Sequence, residues 1–127
     1  MGEYSKALSY HEKSLEIFQK TLPPNHPDLA TSYNNIARVY LNKREYLKAL
    51  SLYEKSLEIR QKALPSNHPD LGISYNNIAA VYQNMGEYSK ALSFCERALK
   101  ILEIVLPANH RTIQTVRENR NILQKKL

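Results

Sequence analysis

Two pairs of adjacent asparagines are the polar residues best suited to hold a ligand. Asn34-Asn35 and Asn76-Asn77 lie within apolar, periodic segments, where asparagine costs up to about 0.7 kcal/mol relative to alanine in a helix. Another interaction must offset that cost. A side-chain amide offers a hydrogen-bond donor and an acceptor together, so it can bind an extended peptide backbone whatever its side chains. Alternatively, the pairs bond across adjacent helices and stabilise their packing.

Further polar residues continue this line along the predicted helix. Arg38 and Asn42 follow Asn34 at successive steps of four residues, and residues four apart share one face of a helix. In the second copy of the segment the same line reads Asn76, Ala80, Asn84. The spacing therefore predicts one polar face on each of two equivalent helices.

The four histidines invite a metal-binding interpretation, which their spacing disfavours. His26, His68 and His110 recur at the same place in successive copies of one segment. Each step separates them by far more than a metal coordination sphere allows. They are better interpreted as residues that precede helices, and the sequence predicts no metal site.

Candidate nucleophiles and catalytic groups are equally scarce. Cys95 and His11 occupy the slot that Tyr53 fills in the middle copy, which predicts a core or half-core position for both. The chain has only three glycines, and no glycine-rich phosphate loop or paired carboxylates stand out. We therefore expect no catalytic residues, no cofactor and no enzyme activity.

These residues are positioned by a repeat of 42 residues. Tyr4, Tyr46 and Tyr88 recur at that spacing, and the break Leu-Pro-x-Asn-His-Pro-Asp separates the copies. A third copy begins at Glu87 and loses the pattern after His110. A fixed period of this size is typical of arrays in which each unit buries its apolar face against its neighbours.

Apolar residues at three- and four-residue steps predict six helices in a single array over residues 1–127. Pro27 and Asp28 suit the first turn of a helix. The short turn at residues 42–44 returns the chain antiparallel, and Gly86 suits a left-handed cap, a position that Arg44 occupies in the preceding copy. The predicted helices span about 3–21, 27–42, 45–63, 69–84, 87–105 and 111–125.

The two ends of the array differ in character. The last helix places Arg117, Arg120 and Asn121 where other copies have Tyr, Ile and Ala, which predicts a cap with no further helix stacked on it. The first helix carries a second apolar line, Tyr10 and Ile17, but its partner helix is absent. We expect an N-terminus cut from a longer array, with this helix exposed or engaged in self-association.

Composition and charge narrow the functional classes. The net charge is +6 over 127 residues, but most of the excess follows Arg111, as expected of a solvated end. Nucleic-acid binding is disfavoured because the repeated tyrosines occupy core slots instead of an exposed stacking platform. No apolar run approaches the ~20 residues that span a bilayer, so we expect no membrane insertion. The single cysteine and the lack of a signal-peptide pattern favour a cytoplasmic protein.

The repeat resembles the tetratricopeptide repeat, over essentially the whole chain. Its longer unit, the Leu-Pro-x-Asn-His-Pro-Asp break and the Tyr-Asn-Asn-Ile-Ala segment resemble the kinesin light chain subfamily. The residues that carry the resemblance are Tyr33, Ile36, Ala37, Tyr40, Tyr46, Ala49, Tyr53 and Ser56, then Tyr75, Ile78, Ala79, Tyr82, Gly86, Tyr88, Ala91, Cys95 and Ala98.

This resemblance implies an all-α fold, a right-handed α-solenoid of antiparallel helix pairs whose concave groove holds short extended peptides. By position in the unit, Asn35 and Asn77 match the asparagine that bonds the ligand's main chain in peptide-binding members. Members that grip a terminal carboxylate use several Lys and Arg, whereas here only Arg38 is present. The expected ligand is therefore an internal peptide, with acidic residues, bound as kinesin light chain binds cargo. The alternative is a regulatory or self-associating segment of a larger enzyme, such as an ADP-ribosyltransferase or NTPase.

Overall fold

The structure, a computed structural model, describes residues 2–127 and consists of six helices joined by short turns. No strand occurs in these residues, and the fold class predicted from the sequence, an all-α array of antiparallel helix pairs, is confirmed. The helices are α1 (Gly2–Thr21), α2 (Pro27–Asn42), α3 (Tyr46–Ala63), α4 (Pro69–Asn84), α5 (Tyr88–Val105) and α6 (Arg111–Lys126).

Three helices begin with the same histidine cap. His26, His68 and His110 have extended backbone conformations and precede α2, α4 and α6. In each, the imidazole Nδ1 accepts a hydrogen bond of 3.1 Å from the amide two residues further on. This bond satisfies one of the amides that the first turn of a helix leaves without a partner. Proline follows His26 and His68 at the first helical position, where its missing N–H costs nothing.

Two helices end in a left-handed turn. Gly86 has φ of 80°, and Arg44, at the equivalent position, has φ of 64°. The amide of Glu45 bonds the Tyr40 carbonyl at 2.9 Å, and the Arg44 amide bonds the Leu41 carbonyl at 3.0 Å. These two bonds form a Schellman motif, which closes the end of α2 and starts the chain back toward α3.

The chain divides into two compact units, Met1–Ala63 and Leu64–Leu127. In the first unit α2 packs against both α1 and α3. One cluster joins Leu8 of α1 to Ile36 and Val39 of α2. A second cluster joins Leu29 and Ala30 of α2 to Ile59 of α3. The buried Ser56 hydroxyl donates a 2.8 Å hydrogen bond to the Ala30 carbonyl, so α2 and α3 are held by polar as well as apolar contact.

In the second unit α5 packs against both α4 and α6. Gly72 lets α4 approach α5 closely, because a Cβ at this position would lie 2.7 Å from Cγ of Leu102. On the α6 side the fully buried thiol of Cys95 donates a 3.4 Å hydrogen bond to the Val116 carbonyl. Ile113 and Leu123 of α6 are also buried, so all three helices of this unit contribute buried apolar residues.

The tyrosines are less uniformly buried than the sequence predicted. Tyr53 and Tyr75 belong to the core, with 4% and 7% of their surface exposed, whereas Tyr10 is 69% exposed. Tyr33 and Tyr40 are half-buried, and the ammonium groups of Lys55 and Lys48 lie over their rings at 5.6 and 5.4 Å from the ring centroids. Tyr33 and Tyr40 are thus less buried than their predicted core slots imply. None of the helices in residues 2–127 is long and apolar enough to cross a bilayer.

Candidate functional site

A line of polar side chains runs along α2 in the first unit. Its members, at three- and four-residue steps, share one face of the helix. Four of them are exposed and the central one, Asn35, is half-buried. The line consists of Asp28, Thr31, Asn35, Arg38 and Asn42.

Asn35 lies in a cleft between α1 and α2 with a volume of about 360 Å³. The cleft mixes aromatic rings with hydroxyl, carboxylate and amide groups, and no Lys or Arg lines it. A half-buried amide in such a cleft can both donate to and accept from a peptide group. The lining residues are Tyr10, His11, Ser14 and Phe18 of α1, and Asp28, Thr31, Ser32 and Asn35 of α2.

Asn34, the other member of the pair, occupies a different environment. It is only 8% exposed and has a partner within the protein. The sequence predicted Asn34 on one line with Arg38 and Asn42, yet those two residues are exposed on the polar face while Asn34 is buried. One residue of difference rotates a side chain by about 100° around a helix. Asn34 is therefore buried with a partner inside the protein, whereas Asn35 lines the cleft.

Arg38 extends the polar face toward α3. Burial raises the pKa of Tyr53, and the Arg38 guanidinium, which interacts with the Tyr53 hydroxyl electrostatically and through a hydrogen bond, opposes that rise. The arginine is itself exposed. Its positive charge is therefore held beside the Tyr53 hydroxyl and exposed to solvent. The carboxylate of Asp28 lies about ten residues earlier on the same helix.

The equivalent line on α4 of the second unit carries less charge. Asn76 and Asn77 are both half-buried, and Asn77 has a partner within the protein. Asn84 is exposed, and its amide nitrogen donates a 2.7 Å hydrogen bond to the Ala80 carbonyl of its own helix. Ile73, at the position of Thr31, is 40% exposed. This face is accordingly more apolar than its counterpart on α2.

The remaining candidates for chemistry have structural roles. Nδ1 of the three repeated histidines accepts helix-capping bonds. His11 is half-buried, with its ring edge-on to Tyr10 at 5.5 Å between centroids. In the part of the chain that the structure describes, no group of three or more His, Cys, Asp or Glu side chains could hold a metal ion.

Sequence reasoning missed the α1 wall of the cleft. The repeat pattern placed Tyr10 on a second apolar line of the first helix and indicated no binding role for Ser14 or Phe18. The 42-residue repeat could have indicated these residues of α1. Their equivalents on α3 include Leu52 and Ser56, which form the side of that helix that packs against α2.

Comparisons with known proteins agree on one fold. The tetratricopeptide repeat family matches residues 1–62 and 28–104. A putative kinesin light chain from Podosopora anserina, with nearly identical repeats, is 26% identical, with a TM-score of 0.88 over 98% of this chain and 59% of that one. BtubC (BKLC) from P. vanneervenii is 23% identical, with a TM-score of 0.90 over 98% and 50%.

More distant similarity extends to the N-terminal domain of stress-induced protein-1 from C. elegans. It is 16% identical, with a TM-score of 0.65 over 91% of this chain and 77% of that one. A search of curated protein sequences gives no match. The chain thus spans about 59% of the length of the putative kinesin light chain structure that it resembles.

Proposed function

The chain belongs to the tetratricopeptide repeat family, whose fold is that of a protein–protein interaction scaffold, and we propose that it binds an extended peptide segment of a partner protein. The proposed role is non-catalytic and cytoplasmic. The similarity to a putative kinesin light chain supports a cargo-binding role of that kind. The single observation that carries the proposal is the half-buried amide of Asn35 in a cleft of about 360 Å³.

Asn35 would bind the main chain of the peptide. Its amide can donate to a peptide carbonyl and accept from a peptide N–H, which gives affinity with little dependence on sequence. Asn77 would act in the same way in the second unit, with Asn76 and Asn84 beside it. Micromolar affinity corresponds to about −8 kcal/mol, which a few such bonds and one or two buried side chains supply.

Charge along α2 would select the peptide. The exposed guanidinium of Arg38 favours an acidic side chain, and Asn42 lies one turn further along the same face. The second unit has Ala80 in place of Arg38. A single cation of this kind suits an acidic residue inside a peptide better than a terminal carboxylate, which is commonly bound by several donors at once.

Two further parts of the proposal concern the ends of the array, namely a polar cap on α6 and contact of α1 with a further polypeptide. On α6, Asn121 is exposed and Arg117 donates hydrogen bonds to the Glu103 carboxylate and the Ala108 carbonyl, which supports a polar cap. On α1, Tyr10 and Ile17 are exposed, which supports contact with a further polypeptide, self-association included.

A peptide-display selection tests the peptide-binding function. Random 12-residue peptides would be selected on the immobilised chain, and the affinity of enriched peptides measured by fluorescence anisotropy. We expect Asn35→Ala to weaken binding about tenfold, equivalent to 1.4 kcal/mol, and Asn77→Ala to weaken it further. Asn67→Ala is the matched control, because Asn67 is exposed in the turn before α4 and lies outside the polar lines of α2 and α4. Enriched peptides whose affinity is indifferent to both substitutions would rule out the asparagine mechanism.

A further inference from the structure

A second hollow in the first unit, of about 370 Å³, lies where the end of α2 meets the start of α3. Its volume falls within the range of about 300–1,000 Å³ that is typical of ligand pockets. It shares no lining residue with the cleft that contains Asn35. The residues that line it are Tyr40 of α2, and Leu47, Lys48, Ser51 and Leu52 of α3.

The floor of this hollow is apolar and continuous with the core. Tyr40 and Leu52 are half-buried, and both pack against the buried cluster that joins α1 to α2. Leu47 lies at the edge of the hollow and is 72% exposed. An apolar side chain placed in the hollow would remove all three of these surfaces from water, which favours binding.

Leu47 is a departure from the repeat. The equivalent residues of the other two copies are serines, Ser5 and Ser89. A lone exposed leucine is common on protein surfaces, but this one borders a hollow with an apolar floor. Because its side chain stays in water in the folded unit, it adds little to stability. Contact with a ligand accounts for a leucine at this position better than folding does.

Leu52 also differs from its counterpart in the second unit. The equivalent residue of α5 is Phe94, whose ring stacks on Tyr82 with 5.6 Å between centroids. Tyr82 is the equivalent of Tyr40. Leucine provides less contact to a tyrosine ring than phenylalanine does, which leaves room beside Tyr40 for a side chain of a ligand.

Positive charge is held at the edge of the hollow. The ammonium groups of Lys43 and Lys48 lie 5.7 and 5.4 Å from the centroid of the Tyr40 ring. The Glu45 carboxylate pairs with both lysines, at 3.2 and 3.3 Å. Two cations against one carboxylate leave a net positive charge, and Ser51 adds an exposed hydroxyl. The complementary ligand is therefore both apolar and acidic.

We infer that this hollow binds a short acidic segment of a partner protein, in which an aliphatic or aromatic side chain is adjacent to Asp or Glu. The apolar side chain lies between Tyr40 and Leu47, and the neighbouring carboxylate pairs with Lys48. This site goes beyond the peptide binding proposed for Asn35 and does not rest on it, because the two sites have no residue in common.

An anionic membrane surface is the other ligand that attracts apolar and cationic groups together. Lipid-binding segments commonly carry clusters of about 4–8 Lys or Arg, each worth about 1 kcal/mol near the surface. Residues 40–52 contain only three cations, Lys43, Arg44 and Lys48, against the Glu45 carboxylate. A bilayer is also too flat to fill a hollow between two helices. A peptide segment is therefore the better match.

Peptide display with a subtraction step tests this inference. Random 12-residue peptides would be depleted on the Leu47→Ser chain and then selected on the unmodified chain. The depletion removes peptides that bind through Asn35. We expect the enriched peptides to carry Leu, Ile, Met or Phe next to Asp or Glu. Leu47 is exposed, so the substitution should leave the fold intact, which circular dichroism checks.

Fluorescence anisotropy with synthetic copies of the enriched peptides then measures each contact. Leu47→Ser should weaken binding at least about tenfold, as for a central apolar contact, and Lys48→Gln about threefold, as for an exposed ion pair. Lys62→Gln is the matched control, because Lys62 is also an exposed lysine of α3 and pairs with Glu58 at 3.2 Å. Asn35→Ala should leave the affinity unchanged.

Several results would overturn the inference. These are no enrichment after depletion, enriched peptides without acidic residues, and equal losses for Lys48→Gln and Lys62→Gln. Peptides that depend on Asn35 but not on Leu47 would support the function proposed above and contradict this one. Sedimentation with phosphatidylserine vesicles provides the last arm, since vesicle binding that Leu47→Ser removes would assign the hollow to lipid.

Discussion

Arg44 shows how one residue type can oppose the backbone conformation that its position demands. Its φ of 64° lies in the left-handed region, which costs an L-residue with a side chain about 1 kcal/mol or more. We therefore expect Arg44→Gly to raise the free energy of unfolding by about 1 kcal/mol. Urea titration measures this change, and the dependence of the unfolding free energy on urea concentration should stay the same. Gly86→Arg is the reciprocal variant. No atom lies within 4 Å of a Cβ at Gly86, so a loss of stability there would isolate the backbone term.

Cys95 links the packing of α5 to pH. Burial raises the pKa of its thiol to about 11 from an ordinary value of 9.0. Between these values the unfolded chain loses the thiol proton while the folded chain keeps it, so stability falls as pH rises through this window. Urea midpoints measured from pH 8 to 11 should show the decline. Cys95→Ala should be less stable at pH 8 but lack that part of the decline, and an equally steep decline in both proteins would contradict the assignment.

The residue scale is also where the sequence was least informative about the site. The Asn34-Asn35 pair could be picked out as costly in a helix, but the choice of Asn35 over Asn34 rested on the resemblance to peptide-binding repeats, because helix spacing alone placed Asn34 on the line with Arg38 and Asn42. That choice depends on how α2 is rotated between α1 and α3, and a 100° step separates the two side chains. Exposure depends on neighbouring helices as well. Tyr10 occupies the position of the half-buried Leu52 in the repeat, yet it is 69% exposed.

At the scale of whole helices, the contribution of the histidine caps to the free energy of unfolding can be tested. Nδ1 of His68 accepts from the Asp70 amide at 3.1 Å. His68→Ala should lower the free energy of unfolding by about 1 kcal/mol, because the first turn of α4 loses its acceptor. His68→Asn should retain most of it, since an asparagine oxygen can accept the same bond. Thermal unfolding followed by circular dichroism measures both, and an equal loss in the two variants would argue against a capping role.

Helix number and order were predictable because the signals that start and end each helix are local in the sequence. Histidine followed by proline starts α2 and α4, and glycine or its equivalent ends α2 and α4, each for a reason contained within a few residues. Helix packing was less predictable. The position that is Ala30 in α2 is Gly72 in α4, and only the structure shows that Leu102 occupies the space a Cβ would need. Such close approaches depend on residues about 30 positions away.

On the scale of the whole molecule, the repeated sequence does not produce repeated burial. Helices α1, α3 and α5 are copies of one sequence pattern, yet their buried residues differ. In α1 only Leu8 is buried among the described residues, whereas α3 buries Ala49, Tyr53, Ser56 and Ile59. In α5 the buried set is larger still. An array in which each unit is stabilised by its neighbours should therefore be least stable at α1.

Hydrogen exchange measures this gradient directly. Amides open with free energies that follow local apolar burial, so those of α1 should exchange faster than those of α3 and α5, by at least about tenfold, since that factor requires only 1.4 kcal/mol. Mass spectrometry after pepsin digestion resolves the helices, and Arg44→Gly provides a control because it stabilises the α2–α3 turn. Rates scaled to intrinsic exchange remove the effect of sequence. Equal protection of α1 and α3 would mean that the exposed side of α1, with Tyr10 and Ile17, is covered in solution.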